Sequence, residues 1–372
     1  MRKAIGKIHL ALSLLAGIFI VLISLTGSLL VFENEIKRLF QPELYHVSAG
    51  PVVSYEKALI AVKEAHPKAD VQRVYTPDEA STEGVYIFRI KDGKSSFSVY
   101  VDPGTGQLNG EEGDKSFFNW VLELHRYLLL KDFNGAEITG IIGFLLFFIA
   151  VSGIYLWWPG IRNWMRGFTF RRSPNTFAKH YNWHKVLGIW SVPFLLVVSL
   201  TGALFEYDEA IFGWFGTKPS KSPAKQILVS VPLPEGKKPL DALMRSAEQA
   251  VPDAKVIQVR MPAKPKKDQP EGAVEVRMTH GYDPGNGNVR VWLDAYSGRV
   301  IAKLDEKVDS GLTYQTWHFP LHTGTFGGIV TKVLYASGGL ILPVLAVTGT
   351  YMWWFKRRKR KQKREKTEPQ AA

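Results

Sequence analysis

The chain of 372 residues is 46% apolar and 22% charged, carries a formal charge of +13 and contains no cysteine. Without cysteine it holds no disulfide, thiolate zinc site, iron–sulfur cluster or covalently attached c-type haem. Its mean hydropathy of -0.05 hides long uncharged apolar runs between polar segments, and those runs exclude a soluble cytosolic enzyme.

Residues 1–37 predict the first membrane span, whose apolar run 8–32 exceeds the ~20 residues that cross a ~30 Å hydrocarbon core. It is too long for a signal-peptide core, and Phe32-Glu33-Asn34-Glu35 offers no small-x-small cleavage site, so the span reads as retained. Residues 38–115 predict an α+β module outside the membrane: an amphipathic helix over 55–65, strands over 84–90 and 97–101, and a tight turn at Asp102-Pro103-Gly104-Thr105-Gly106. Residues 116–160 carry the second span around an apolar run at 138–158, residues 161–180 a basic loop, and residues 181–215 the third span around 186–205. A second α+β module follows over 216–311, with a helix over 240–250, strands over 273–278 and 289–293, and a turn at Asp294-Ala295-Tyr296-Ser297-Gly298. Residues 312–355 hold the fourth span around 333–355, and residues 356–372 form a basic tail with nine lysines and arginines.

The positive charge marks topology. Arg2, Lys3 and Lys7 precede the first span, and Arg162, Arg166, Arg171, Arg172, Lys179 and Lys185 lie between the second and third. With the tail, all three basic segments share one side if the chain crosses four times, which makes both termini cytoplasmic and the modules external. The tail suits anionic lipid of the bilayer, and nothing in a juxtamembrane run favours nucleic acid.

The halves of the chain correspond. His9 stands eighteen residues before Gly27 in a run ending Ser24-Leu25-Thr26-Gly27, and His184 eighteen before Gly202 in a run ending Ser199-Leu200-Thr201-Gly202. Ser152-Gly153-Ile154-Tyr155-Leu156-Trp157-Trp158 parallels Thr348-Gly349-Thr350-Tyr351-Met352-Trp353-Trp354. The expected fold is a four-helix transmembrane bundle of two parallel repeats about an axis along the membrane normal, with one α+β module in each half.

Equivalent residues of two such halves meet a ligand on the axis together. His9 and His184 match at the cytoplasmic starts of spans one and three; His125 and His322 match, with one residue of slippage, near the outer starts of spans two and four. Paired imidazoles across a bundle suit the six-coordinate iron of a b-type haem, which needs no cysteine, so the two pairs imply two haems stacked across the bilayer. Gly27, Gly202, Gly153 and Gly349 are expected to let a porphyrin approach the backbone, or to serve helix packing as small residues do in any bundle. Zinc or copper finds no clustered carboxylate or sulfur to complete a set. His180 and His318 each precede a proposed ligand by four residues and stay open as replacements for it, while His46, His66 and His280 are expected at the surface.

Together, the His to Ser-Leu-Thr-Gly spans, the Gly-Ile-Tyr-Leu-Trp-Trp-Pro end of the second span, Leu321-His322-Thr323-Gly324 and the two modules closing on their Asp-to-Gly turns resemble the PepSY-associated transmembrane family, the PiuB-like iron-regulated membrane proteins. The resemblance covers nearly the whole chain. Within that family it extends to FoxB-type ferric-siderophore reductases, which implies an inner-membrane protein with periplasmic PepSY-like modules and two b haems on His9, His125, His184 and His322. The 262–270 insertion, rich in proline and lysine, departs from the first module. No Gly-rich nucleotide motif appears, so electrons come from quinol or from a separate flavoprotein. No Ser-His-Asp, His-Glu-x-x-His or paired-carboxylate pattern supports hydrolysis. The alternative class is a non-catalytic receptor or regulator whose modules bind a periplasmic protein or peptide; matched histidines at membrane depth distinguish the two. Transport of iron or a siderophore is weakened by the lack of charge within the spans.

Overall fold

The computed structural model describes residues 1–77, 82–173, 175–214, 221–224, 226–262, 265, 269–281, 288–305, 307 and 310–367. In chain order come α1 (Arg2–Leu30), α2 (Glu33–Phe40), α3 (Tyr55–Ala65), β1 (Asp70–Tyr75), β2 (Tyr86–Asp92), β3 (Ser95–Val101), β4 (Leu108–Gly113), α4 (Phe117–Tyr127) and α5 (Gly135–Trp157). The second half holds α6 (Trp164–Gly167), α7 (Thr176–Trp214), α8 (Leu240–Ala250), β5 (Ala254–Arg260), β6 (Val274–His280), β7 (Val289–Leu293), β8 (Val300–Leu304), α9 (Ser310–Thr323) and α10 (Gly328–Thr367). The chain forms two compact units, one of Met1–Val31, Val121–Ile211 and Leu321–Ala372, the other of Phe32–Trp120 and Phe212–Pro320.

The first unit is helical. Among the described residues four stretches are long and apolar enough to cross a membrane: α1, α5, α7 and Thr325–Lys363, which includes most of α10. Helices in lipid satisfy their own backbone, and here the hydroxyls follow suit: Ser24, Ser152, Ser191 and Ser199 each donate to a carbonyl of their own helix. Small residues allow close approach. A Cβ on Gly143 of α5 would stand 3.0 Å from the Ser199 carbonyl of α7, and one on Gly339 of α10 would stand 3.1 Å from the Ser24 carbonyl of α1.

Two of the expected spans are divided. The segment 116–160 is α4, then a turn, then α5; the backbone breaks because Leu128, Leu129 and Asn134 adopt left-handed φ of 50°, 60° and 56°. The segment 312–355 is likewise α9, a short turn, and α10, with Gly324 and Gly328 at φ of +74° and +61°. Leucine in this region costs about 1–2 kcal/mol per residue, so the turn after α4 stores strain that the glycines of the other turn avoid. Helix α7 also begins at Thr176, inside the expected loop, and α10 extends the fourth helix into the tail.

In the second unit the strands of the two expected α+β modules join. They form one antiparallel sheet in the order β4-β3-β2-β1-β5-β6-β7-β8, joined at the centre where Arg73, Val74 and Tyr75 pair with Arg260, Val259 and Gln258. Apart, β1 and β5 would each expose an unpaired edge, and four strands under one eleven-residue helix would bury little; pairing them removes both edges and merges the cores. The merged core lies between the sheet and α3 with α8, and includes Leu59, Val62, Phe88, Val99, Leu243, Met244, Val276 and Val291. The two helices cap each other: Asp241 accepts from the Tyr55 and Glu56 amides at 2.9 and 3.0 Å, and Glu56 accepts from the Leu240 amide at 2.7 Å. The 262–270 insertion falls largely outside the described residues.

Both Asp-to-Gly turns act as clamps. Asp102 accepts from the Ser48 and Gly104 amides and the Thr105 hydroxyl at 2.9–3.0 Å, while Asp294 accepts from the Val231, Tyr296 and Ser297 amides at 2.8–2.9 Å. Burial alone would raise the Asp102 carboxyl, but these hydrogen bonds outweigh it and hold it at about 2; the same balance lowers Asp294.

Candidate functional site

The helical unit brings the four matched histidines together as two pairs. In the first, His9 of α1 and His184 of α7 have ring centroids 6.4 Å apart and planes at 87°. In the second, His125 of α4 and His322 of α9 have centroids 6.1 Å apart and planes at 55°. Helix α1 links the sites: His9 belongs to the first pair and Gly27 touches the second, eighteen residues or about 27 Å further along the helix. Helix α7 repeats the arrangement with His184 and Gly202.

Each imidazole is held by a neighbouring helix in the same way. His125 Nδ1 lies 2.9 Å from the Ile23 carbonyl and 3.2 Å from Thr26 Oγ1; His184 Nδ1 lies 3.1 Å from the Leu345 carbonyl and 3.0 Å from Thr348 Oγ1. His9 Nδ1 lies 2.9 Å from Ser152 Oγ, and His322 Nδ1 3.0 Å from Thr201 Oγ1. In every case the residue after the hydroxyl is glycine. A Cβ there would meet Cε1 of the held ring: 2.9 Å from His125 at Gly27, 3.1 Å from His322 at Gly202, 3.2 Å from His184 at Gly349 and 3.6 Å from His9 at Gly153.

This gives the glycines a role the sequence did not suggest. The space above them is filled by imidazole, because a ring reaching its neighbour's carbonyl one turn back must cross the helix surface where a side chain would stand. The hydroxyls were missed in the sequence, although the Ser/Thr-Gly dipeptide recurs in all four spans as their signal.

The hydroxyls also fix the tautomer. Thr26, Thr201 and Thr348 donate to the carbonyls of Leu22, Val197 and Val344 at 2.7–2.8 Å, and Ser152 donates to Ile149 at 2.9 Å. With its hydrogen committed to its own helix, each oxygen can only accept from the histidine. The proton therefore sits on Nδ1, and Nε2 keeps its lone pair for an incoming ligand. Two clefts open in the helical unit, the first of them reaching Thr348, the hydroxyl that holds His184. One of about 400 Å³ is lined by Lys179, His180, Trp183, Pro343, Val347 and Thr348, and one of about 440 Å³ by Arg2, Val151, Ile154, Tyr155 and Trp158.

The remaining histidines are engaged elsewhere. His180 stacks on Tyr351 at 4.0 Å, and buried His318 stacks on Tyr314 at 5.0 Å with the phenol oxygen 3.2 Å from its Nδ1. His46 and His66 meet Ser48 and Glu111. His280 departs from the expected surface position: it is 1% exposed, with Nε2 3.0 Å from Asp305, because β6 turns it into the core under the Asp253 carbonyl.

No curated protein matches the chain. The family described as the PepSY-associated TM region matches residues 7–356, which takes in both histidine pairs, the residues that hold them and all eight strands, and the chain belongs to that family.

Proposed function

We propose that the chain is an inner-membrane protein holding two b haems, which passes electrons to a periplasmic ferric siderophore and releases the iron as Fe2+. The observation that carries this reading is the pair of imidazole pairs. Two metal–imidazole bonds of about 2 Å, with about 1.1 Å from each Nε2 to its ring centre, require centroids about 6.2 Å apart; the pairs stand at 6.4 and 6.1 Å. Among the described residues no third His, Asp or Glu joins either pair, a donor set suited to an iron whose other four ligands come from a macrocycle.

His9 and His184 would hold the inner haem, His125 and His322 the outer one. Bound there, the haems supply one-electron transfer across the bilayer. The protein's own part is positional. Ser152, Thr348, Thr26 and Thr201 fix each imidazole's tautomer and raise its basicity, and Lys179 and Arg2 each line one of the two clefts. The basic residues at the starts of α1 and α7 and in the tail of α10 favour the cytoplasmic side, which makes the sheet unit periplasmic and the two halves parallel repeats.

The net reaction takes one electron from a quinol or a flavoprotein and reduces chelated Fe3+ to Fe2+. Hard oxygen donors hold Fe2+ far less tightly, so the ion leaves the chelate. A stopped-flow assay tests this: dithionite-reduced protein, freed of excess reductant, is mixed with ferric siderophores and a chromogenic Fe2+ trap. Reoxidation matched by trapped Fe2+, abolished in His125→Ala and His322→Ala, is expected; a reduced protein that no ferric chelate reoxidises would refute the reading.

A further inference from the structure

One face of the sheet is covered by α3 and α8, where Val74, Phe88, Val259, Val276 and Val291 are buried. Their neighbours along each strand point to the opposite face, and five of these are arginines. Arg73 of β1 stands directly opposite both Arg89 of β2 and Arg260 of β5, and Arg277 of β6 stands opposite Arg290 of β7. Like charges facing each other across strands destabilise a sheet.

Local carboxylates do not balance them. Glu275 lies 2.9 Å from Arg277 and 3.9 Å from Arg260, and Asp114 pairs with Arg89. Among the described residues neither Arg73 nor Arg290 is ion-paired. Moreover, Nε of Arg260 and Nε of Arg290 are buried without a hydrogen-bond acceptor, which folded proteins rarely tolerate without a reason. Burial, and then the neighbouring Arg277 charge, hold both guanidiniums below their usual pKa. The row of Arg89, Arg73 and Arg260 spans two strand spacings, about 10 Å, and ends on Glu275 of β6, while Arg277 and Arg290 form a second row two residues along the strands.

We infer that this arginine face docks the iron chelate, and that the chelate is a multiply charged anion with carboxylate or catecholate oxygens rather than a neutral or cationic hydroxamate. The inference rests on the reductase reading for the iron, while the anionic class comes from the arginines alone. Guanidinium forks match paired oxygens in geometry as well as charge, and an anion here would offset the like charges that face each other across the strands.

The test uses redox-inert gallium(III), so that binding is read without electron transfer. Full-length protein in detergent is titrated by calorimetry with gallium(III) tris-catecholate, a trianion, and with the cationic gallium(III) complex of a linear trihydroxamate. The trianion is expected to bind, more weakly as salt rises, and the cation not to bind. Arg73→Glu and Arg290→Ala each weaken binding about tenfold or more, while Arg73→Lys keeps it within a few-fold. Arg73 is exposed, so its substitution leaves the fold in place, and the melting temperature of each variant verifies this. Equal binding of both complexes, binding of neither, or variants that bind like the parent would overturn the inference. Haem content measured on the same samples separates the two readings: a haem-free protein that still selects the trianion loses the reductase and keeps the docking face, and a haem-loaded protein blind to charge does the reverse.

Discussion

Replacing a cradle glycine by alanine should damage the two proposed haem sites unequally, and the structure sets the order. At Gly27 the new Cβ would stand 2.9 Å from His125 Cε1 and 3.3 Å from Nδ1; at Gly153 its nearest contact would be His9 Cε1 at 3.6 Å. Carbon atoms pack at about 3.5–4.0 Å, so the His125 ring must retreat by roughly 0.6 Å or more while the His9 ring need not move. That retreat stretches the 2.9 Å bond to the Ile23 carbonyl, and losing a buried hydrogen bond costs on the order of 1–3 kcal/mol. Alanine returns up to about 1 kcal/mol in a helix interior, leaving Gly27→Ala destabilised by up to about 2 kcal/mol and Gly153→Ala neutral or slightly stabilised. Gly202→Ala and Gly349→Ala, at 3.1 and 3.2 Å, should fall between. Redox titration followed by absorption, with a thermal melt of each variant, reads the effect. Gly27→Ala should shift or empty one haem and spare the other, while Gly153→Ala should retain both. Two intact haems with parental potentials in Gly27→Ala would refute the cradle as the support of an iron ligand.

The other expectations concern the hydroxyls, the sheet clamps and the helix caps. Thr26→Val and Thr201→Val remove an acceptor from His125 and His322, making each imidazole a weaker donor to ferric iron; the midpoint potential of one haem should rise while the haem count stays at two, as a potentiometric titration would record. Asp102 is held at about 2, below the ~3.9 of an unfolded chain. Its stabilising contribution is therefore present above pH ~4 and lost as pH falls toward 2, and melts between pH 5 and 2 should show a steeper decline in the parent than in Asp102→Asn. Glu56→Ala and Asp241→Ala should each cost about 0.5–2 kcal/mol, and the double variant less than their sum, since the caps hold one helix pair; a fully additive denaturation cycle would contradict that coupling.

Helices 55–65 and 240–250 are visible in the sequence because their apolar residues recur at helical spacing, and the structure ends α3 and α8 at those residues. Strands β2 and β6 alternate cleanly, and β3 and β7 stand out as short runs of valine and aromatic residues. The central strands β1 and β5 do neither: each carries a register shift, between Val71 and Arg73 and between Val256 and Gln258, so the two-residue alternation slips halfway along. Their pairing with each other is hidden for a different reason, since a contact between residues 73 and 260 leaves no local pattern. Strand β4, Leu-Asn-Gly-Glu-Glu-Gly, has almost no apolar residue to betray it.

At the candidate site, recurrence in both halves singles out His9, His125, His184 and His322 before any geometry is known. It does not say that the glycines receive imidazoles or that Thr26, Ser152, Thr201 and Thr348 set their protons. Those roles depend on which helix lies beside which, and an apolar helix that is uniform around its circumference does not encode its neighbours.

The most direct test is a haem count on full-length protein purified from haem-replete cells. Pyridine haemochrome analysis with oxidised and dithionite-reduced spectra should give two b haems per chain, one lost in His9→Ala or His184→Ala and the other in His125→Ala or His322→Ala. A colourless protein, or one whose haem survives all four substitutions, would contradict the account.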